Sequence, residues 1–300
     1  NWGCTDAVRG VGEAIHPNGT FAEGSTPDGL TAFNADGFSV GTDTTWNDSG
    51  VDYASWNWKA GTTTGIDTTG ATITPSSYSF NATSGFSMIK YVGTGVAATL
   101  PHGLGVAPTL IIQKNLVAGL TDNWQVYHSY MGATKYMTWN TTNVEASQTS
   151  RWNDTEPTST LFSIGTDSSV NYSGEDMIAY CFASVKGYSK FGDYTGNGNA
   201  DGTFVYTGFR PAFILLKNTG AVKNWYMLDN KREGYNPDND PLIANATTAE
   251  STEDVCDILS NGFKFLDTSQ QYNGDGHNYI YAAFAESPFV NAEGVPTNAR

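Results

Sequence analysis

A thirteen-residue block written three times constrains this chain more than any other feature. "WNDSGVDYASWNW" (46–58), "VNYSGEDMIAYCF" (170–182) and "YNGDGHNYIYAAF" (272–284) share Asn at the second place and Gly at the fifth. A related segment stands upstream of each: "DGFSVGTD" (36–43), "TLFSIGTD" (160–167) and "NGFKFLDT" (261–268). Further upstream is an Asn-Trp pair, whose tryptophan (Trp2, Trp124, Trp225) precedes the phenylalanine of that segment by 36, 38 and 38 residues. Landmarks at near-constant spacing mark a repeated supersecondary unit that buries its apolar face against its neighbours.

Two landmarks occur only twice. "PTLIIQKN" (108–115) matches "PAFILLKN" (211–218), and "YVGTG" (91–95) matches "YTGNG" (194–198). The chain therefore divides into a partial first repeat with a Thr/Ser/Gly-rich connection (1–85), a second repeat (86–189) and a third (190–300). The connection has room for an extra strand. Asn1 is the Asn of the Asn-Trp motif, so the first unit has neither the Tyr-x-Gly-x-Gly turn nor the Pro-apolar-Lys-Asn strand. A β unit without its central strand exposes the edges of its neighbours, which are templates for pairing. The expectation is that upstream polypeptide, or another chain by strand addition, supplies the missing strands.

Inside a repeat the period is two. Ala54, Trp56 and Trp58 fall in phase with Ile178, Tyr180 and Phe182, and with Ile280, Ala282 and Phe284. That alternation is the core face of a strand. The Asn-to-Gly segment before it (Asn47–Gly50, Asn171–Gly174, Asn273–Gly276) reads as a tight turn, where both residue types tolerate positive φ. "TLIIQ" and "FILL" are continuous apolar runs, the pattern of central strands covered on both faces, with Pro108 and Pro211 at their starts. Short helical turns are expected in 142–150 and 247–257. The predicted fold is all-β, a tandem series of β-sandwiches of jelly-roll or concanavalin-like type.

Composition narrows the partners. Thirty acidic residues against fifteen basic give a net charge of −15, which repels phosphate backbones and anionic lipid surfaces, so neither nucleic acid nor membrane insertion is expected. Three cysteines (Cys4, Cys181, Cys256) in non-equivalent places do not make a disulfide framework.

Motifs for chemistry are sparse. His16, His102, His128 and His277 form no local pair of metal-ligand spacing. His128 stands four residues after Trp124, where the other copies have Asp6 and Asp229, which suits a polar structural position. Asn197, Asn199 and Asp201 before Gly202 resemble the opening of a calcium loop without its later glutamate. They read first as a hairpin turn, as does "NPDNDP" (236–241), and no metal or cofactor is expected. Glu145, Asp154 and Glu156 have no spacing that singles out a glycosidase pair. Trp139 and Trp152 have no counterpart in the other repeats and lie among Asn, Thr and Asp. They are the candidate stacking platforms for a glycan, against a plain packing role.

The segments "NADGFSVGTD", "YASWNWKAG", "HGLGVAPTLIIQKN", "SGEDMIAYCFASVKGYSKFGDYTGNG", "FVYTGFRPAFILLKN" and "YIYAAFAESPF" resemble a repeated β domain of unknown function. That domain is common in marine and cyanobacterial bacteriophages, in tail-fibre, tail-associated and other virion structural proteins. The resemblance covers nearly the whole chain and brings no catalytic residues. It implies a non-enzymatic component of the virion, a tail fibre or spike module or a capsid decoration. Other virion proteins and further copies of the chain would be its partners, and host-surface glycans a possible ligand. A secreted carbohydrate-binding protein and a polysaccharide depolymerase are the competing expectations.

Overall fold

The two complete repeats build the same sheet from the same order of strands. In a computed structural model that describes residues 2–117, 122–232, 236 and 240–288, the second unit forms a seven-stranded sheet. Its order is Ala146–Ser147, Lys135–Thr138, Gln125–His128, Leu110–Asn115, Asp176–Phe182, Phe86–Val92, Ser77–Asn81. The third unit's sheet runs Leu242–Ile243, Trp225–Asp229, Pro211–Asn218, Asn278–Ala285, Ser189–Thr195. In both, the last strand of the unit lies antiparallel between the first and the third. A smaller sheet accompanies each: Ala98–Pro101 with Leu161–Ile164, and Phe204–Tyr206 with Gly262–Phe265 and Cys256–Leu259. Phe162 opposes Leu100 where Phe263 opposes Val205. The extra strand of the connection is Ser77–Asn81, which pairs with Phe86–Val92.

The chain is all-β, but its cores are not those of independent sandwiches in series. Ile89, Tyr91, Ile111, Met177 and Cys181 face Leu100, Phe162 and Ile164 of the second unit's small sheet. Ile214, Leu216, Tyr279 and Tyr281 face Val205, Phe263 and Phe265 in the third. The opposite faces of both large sheets enter one shared core with residues of the first unit: Ile15, Met88, Ile112, Trp124, Tyr180, Leu215, Trp225 and Ile280 are among its buried members. Burial on both faces explains why Leu110–Asn115 is covered along its whole length. Each large apolar side chain so covered contributes about 1.5–3 kcal/mol, so the pooled face makes the units mutually dependent.

The phase of the thirteen-residue blocks places their last residues together. Trp58 lies 6.3 Å from Phe182 and 5.3 Å from Phe284, ring centre to ring centre, and Phe182 lies 6.2 Å from Phe284. One aromatic ring from each block thus meets the other two in a single cluster.

The first unit contributes less regular structure. Cys4 bridges Ile15 as Val126 pairs near Met137 in the second unit, and Leu30–Phe33 pairs with Phe38–Val40. Asp52–Trp58 has no strand partner among the described residues, although its equivalents Asp176–Phe182 and Asn278–Phe284 are paired on both sides. Three short helices occur among the described residues, Thr44–Asn47, Thr149–Trp152 and Ser168–Asn171. The expected helical turn in 247–257 is absent, and its end is the strand Cys256–Leu259 instead. There the small sheet has a third strand position to fill, and pairing with Gly262–Phe265 satisfies the backbone. No described helix is long and apolar enough to cross a membrane.

Candidate functional site

The repeated Asn-Trp pair turns out to be the joint between units. Trp124 Nε1 donates to the His16 carbonyl at 3.1 Å, and Trp225 Nε1 donates to the Thr138 carbonyl at 3.0 Å. Trp2 Nε1 donates to the Ile243 carbonyl at 3.0 Å and the Ala246 carbonyl at 2.9 Å. His16, Thr138 and Ile243 each stand two residues before an asparagine (Asn18, Asn140, Asn245). In the complete units that asparagine accepts from the tryptophan's own backbone N–H, Asn140 from Trp124 at 2.9 Å and Asn245 from Trp225 at 2.8 Å. Each indole therefore reaches the equivalent carbonyl of the preceding unit, and the first unit's indole closes the circle on the third.

A lysine inside the apolar strand reinforces two of the three joints. Lys114 and Lys217 are both fully buried. Lys114 Nζ donates to the carbonyls of Asn115 at 2.9 Å, Asp122 at 3.0 Å and Thr20 at 3.4 Å. Lys217 Nζ donates to those of Asn218 at 2.9 Å, Ala221 at 3.4 Å and Thr142 at 3.4 Å. Thr20 and Thr142 occupy the same place in their units, two residues after Asn18 and Asn140. Burial lowers the Lys217 ammonium from 10.5 to about 7. Burial lowers Lys114 to about 8, against the pull of Asp122.

These shifts have a measurable consequence. Between about pH 7 and 10.5 the unfolded chain holds a proton on Lys217 that the folded chain has released, so this residue makes stability rise with pH across that window. Lys217→Met should flatten the rise by roughly 1 kcal/mol per pH unit. Urea denaturation of the variant and the parent at pH 7, 8.5 and 10 reads it directly. Identical slopes would contradict the assignment.

The Tyr-x-Gly-x-Gly turn and the Asn of the thirteen-residue block form a latch within each complete unit. The Tyr91 hydroxyl donates to the Val170 carbonyl, and Tyr194 to that of Tyr272, both at 2.6 Å. Asn171 Oδ1 accepts from Thr94 N at 2.7 Å and Gly95 N at 3.3 Å, while its Nδ2 donates to Val96 O at 2.6 Å and Gly165 O at 2.7 Å. Asn273 repeats this on Asn197 and Asn199. A Cβ on Gly93 would lie 2.2 Å from Tyr172 O, and one on Gly196 2.3 Å from Gly274 O, so only glycine permits the approach. Positive φ belongs to Gly50, Gly174 and Gly276 and not to the block's asparagines, whose amides are spent on cross-links instead.

The residues singled out for ligands mostly serve packing. Trp152 is 1% exposed, in the core between the second unit's two sheets, with Tyr127 edge-on at 5.8 Å. Neither of its faces is open to a sugar. Trp139 is half-buried and stacks on Trp225 of the next unit at 5.3 Å and 13°. The two tryptophans sit at different cores and form no common platform. Trp139 is thus an extra joint between the second and third units, where Ala244 leaves no such reach.

In the loop Asn197–Asp201, Asn197 Oδ1 accepts from Asn199 N and from Asn273 Nδ2, Asn199 Oδ1 accepts from Asp201 N, and Asp201 pairs with Lys264. These are turn contacts. Within "NPDNDP", residues 237–239 lie outside the described residues, and Asn236 exchanges hydrogen bonds with the Ile258 backbone, both at 3.0 Å. His128 and His102 are buried and held near 4 by desolvation. At the position equivalent to His128, Asp6 pairs with Arg9 at 2.5 Å and Asp229 with Arg232 at 2.7 Å. Asp6 also accepts from the Tyr180 hydroxyl at 2.7 Å, another tie from the first unit to the second. Glu145 pairs with Lys135, and Glu156 accepts from Ala133 N and Tyr127. Among the described residues no three or more His, Cys, Asp or Glu side chains gather as a metal site. The buried lysines were the functional signal most easily missed: a charged residue repeated inside an apolar strand has to be held by something.

The architecture defines an all-β protein of three interlocked repeats, with its distinctive side chains committed to the joints. The chain belongs to the family described as a domain of unknown function, DUF7483, whose model matches residues 1–288. No curated protein and no solved structure matches it.

Proposed function

We propose that this protein is a non-enzymatic structural component of a bacteriophage virion, a tail-fibre or spike module or a capsid decoration. It would reinforce the particle or present it to a host surface, with other virion proteins and further copies of itself as partners. One observation supports this reading. The tryptophans that stand out in the sequence hold three units in a closed circle, the strand lysines reinforce two of its joints, and the asparagines and glycines latch the complete units internally, an arrangement suited to bearing load. Its acidic surface keeps such a module soluble and off nucleic acid.

Antibody labelling of purified particles tests the proposal, with label expected at fixed symmetric positions by electron microscopy. Absence of the protein from purified particles would overturn it. Sugar binding without turnover by a freely secreted form would instead support the carbohydrate-binding alternative. Release of reducing ends from host polysaccharide would make it a depolymerase.

A further inference from the structure

The first unit holds its side of two contacts that the other two complete, the asparagine latch and the pairing of the last strand. Asn47 Nδ2 donates to Gly41 O at 2.8 Å, as Asn171 Nδ2 donates to Gly165 O at 2.7 Å. Asn171 and Asn273 are fully buried beneath the Tyr-x-Gly-x-Gly turn, whereas Asn47 is exposed and its Oδ1 has no donor among the described residues. The helix before it is formed and capped: Asp43 accepts from Thr45 N at 2.8 Å, as Asp167 accepts from Ser169 N at 2.9 Å. Downstream, the backbone N–H groups of Asp52 to Ala60 donate to no acceptor among the described residues. Trp56 and Trp58 nonetheless pack inward on Phe213, in the phase of the paired strands. Phe38 is 39% exposed, while its equivalents Phe162 and Phe263 are 1% and 0% exposed beneath their large sheets.

We infer that the first unit is a strand acceptor. Its occupant is a polypeptide segment outside these 300 residues, of the repeat's own class: a Tyr-x-Gly-x-Gly turn followed by a Pro-x-apolar-apolar-apolar-x-Lys-Asn strand. The circle of joints identifies this occupant. Each strand lysine donates to a threonine carbonyl of the preceding unit, Thr20 for Lys114 and Thr142 for Lys217. The equivalent carbonyl of the third unit is Thr247, two residues after Asn245, and it accepts no hydrogen bond from the described residues. The occupant's lysine binds there, its turn amides bind Asn47 Oδ1, and its strands pair with both edges of Asp52–Trp58. Phe38 is covered by the resulting sheet. Backbone pairing supplies affinity, and the lysine and the turn glycine supply selection.

The chain itself provides the probe, because residues 189–218 carry all the missing elements as Ser189–Thr195, Phe204–Tyr206 and Pro211–Asn218. A synthetic peptide of that sequence, added to the full chain, should bind and protect the amides of 51–60 from hydrogen exchange. Binding should weaken at least tenfold for peptides carrying Gly196→Ala or Lys217→Glu, and for a protein carrying both Ser55→Pro and Asn57→Pro. Thermal melting without peptide verifies that the proline variant folds. Absence of binding, binding that protects other segments, or equal binding of the altered peptides would overturn the inference. Protection of 51–60 that grows with protein concentration and no peptide would assign the edge to a second copy and overturn it too.

Discussion

Replacing Trp225 by alanine should remove about 4–5 kcal/mol of stability, among the largest losses available to a single substitution in this chain. The indole is 2% exposed in the shared core, so truncation leaves a cavity that the surrounding strands can close only partly. Two further contacts go with it. The Thr138 carbonyl loses its donor, and Trp139 loses the ring on which it stacks. Trp225→Phe separates these contributions, because it keeps most of the apolar area and orphans the carbonyl, a cost of about 1–3 kcal/mol. Urea unfolding monitored by far-ultraviolet circular dichroism reads both variants. A loss below about 1 kcal/mol for the alanine variant would mean that the joint between the second and third units is not what holds them together.

Asn273→Ala is the second large effect, at about 3–5 kcal/mol. The amide donates to Asn197 Oδ1 at 2.8 Å, Asn199 O at 2.9 Å and Asp267 O at 3.0 Å, and accepts from Asn197 N at 3.1 Å. The Asn273 side chain itself is fully buried beneath the turn, and each group left there without a partner costs about 1–3 kcal/mol. The equivalent Asn47→Ala should cost under about 1 kcal/mol, because Asn47 is exposed and makes a single backbone contact. The contrast between two residues of one repeated motif is the informative measurement. Equal losses at Asn47 and Asn273 would show that the latch has no energetic role.

Much of the fold was legible because strand periodicity is local. The phase of Ile178, Tyr180 and Phe182 follows from alternation alone, and all three face the shared core. The continuous runs at 108–115 and 211–218 predicted strands covered on both faces, and Leu110–Asn115 and Pro211–Asn218 are the buried centres of their sheets. The ligand-site readings fared differently. Trp139 and Trp152 looked alike as unshared tryptophans in polar loops. Yet Trp152 is enclosed beside Tyr127, and Trp139 reaches across to Trp225. Polar sequence neighbours say little about burial when the covering residues come from distant segments.

By itself the sequence determined the all-β class, the core phase of the strands, and the glycines at turns. These depend on backbone sterics and on side-chain alternation within a few residues. It also showed that the first unit carries only part of the pattern. Only the tertiary structure decided that the repeats pool one core around Trp58, Phe182 and Phe284, and that each Asn-Trp indole donates to the unit before it. The same holds for the buried lysines, which donate to a neighbouring carbonyl and also to one 75 residues away for Lys217 and 94 for Lys114. A carbonyl is present at every residue and carries no sequence signature. Which one meets a given indole or ammonium is decided when the sheets dock.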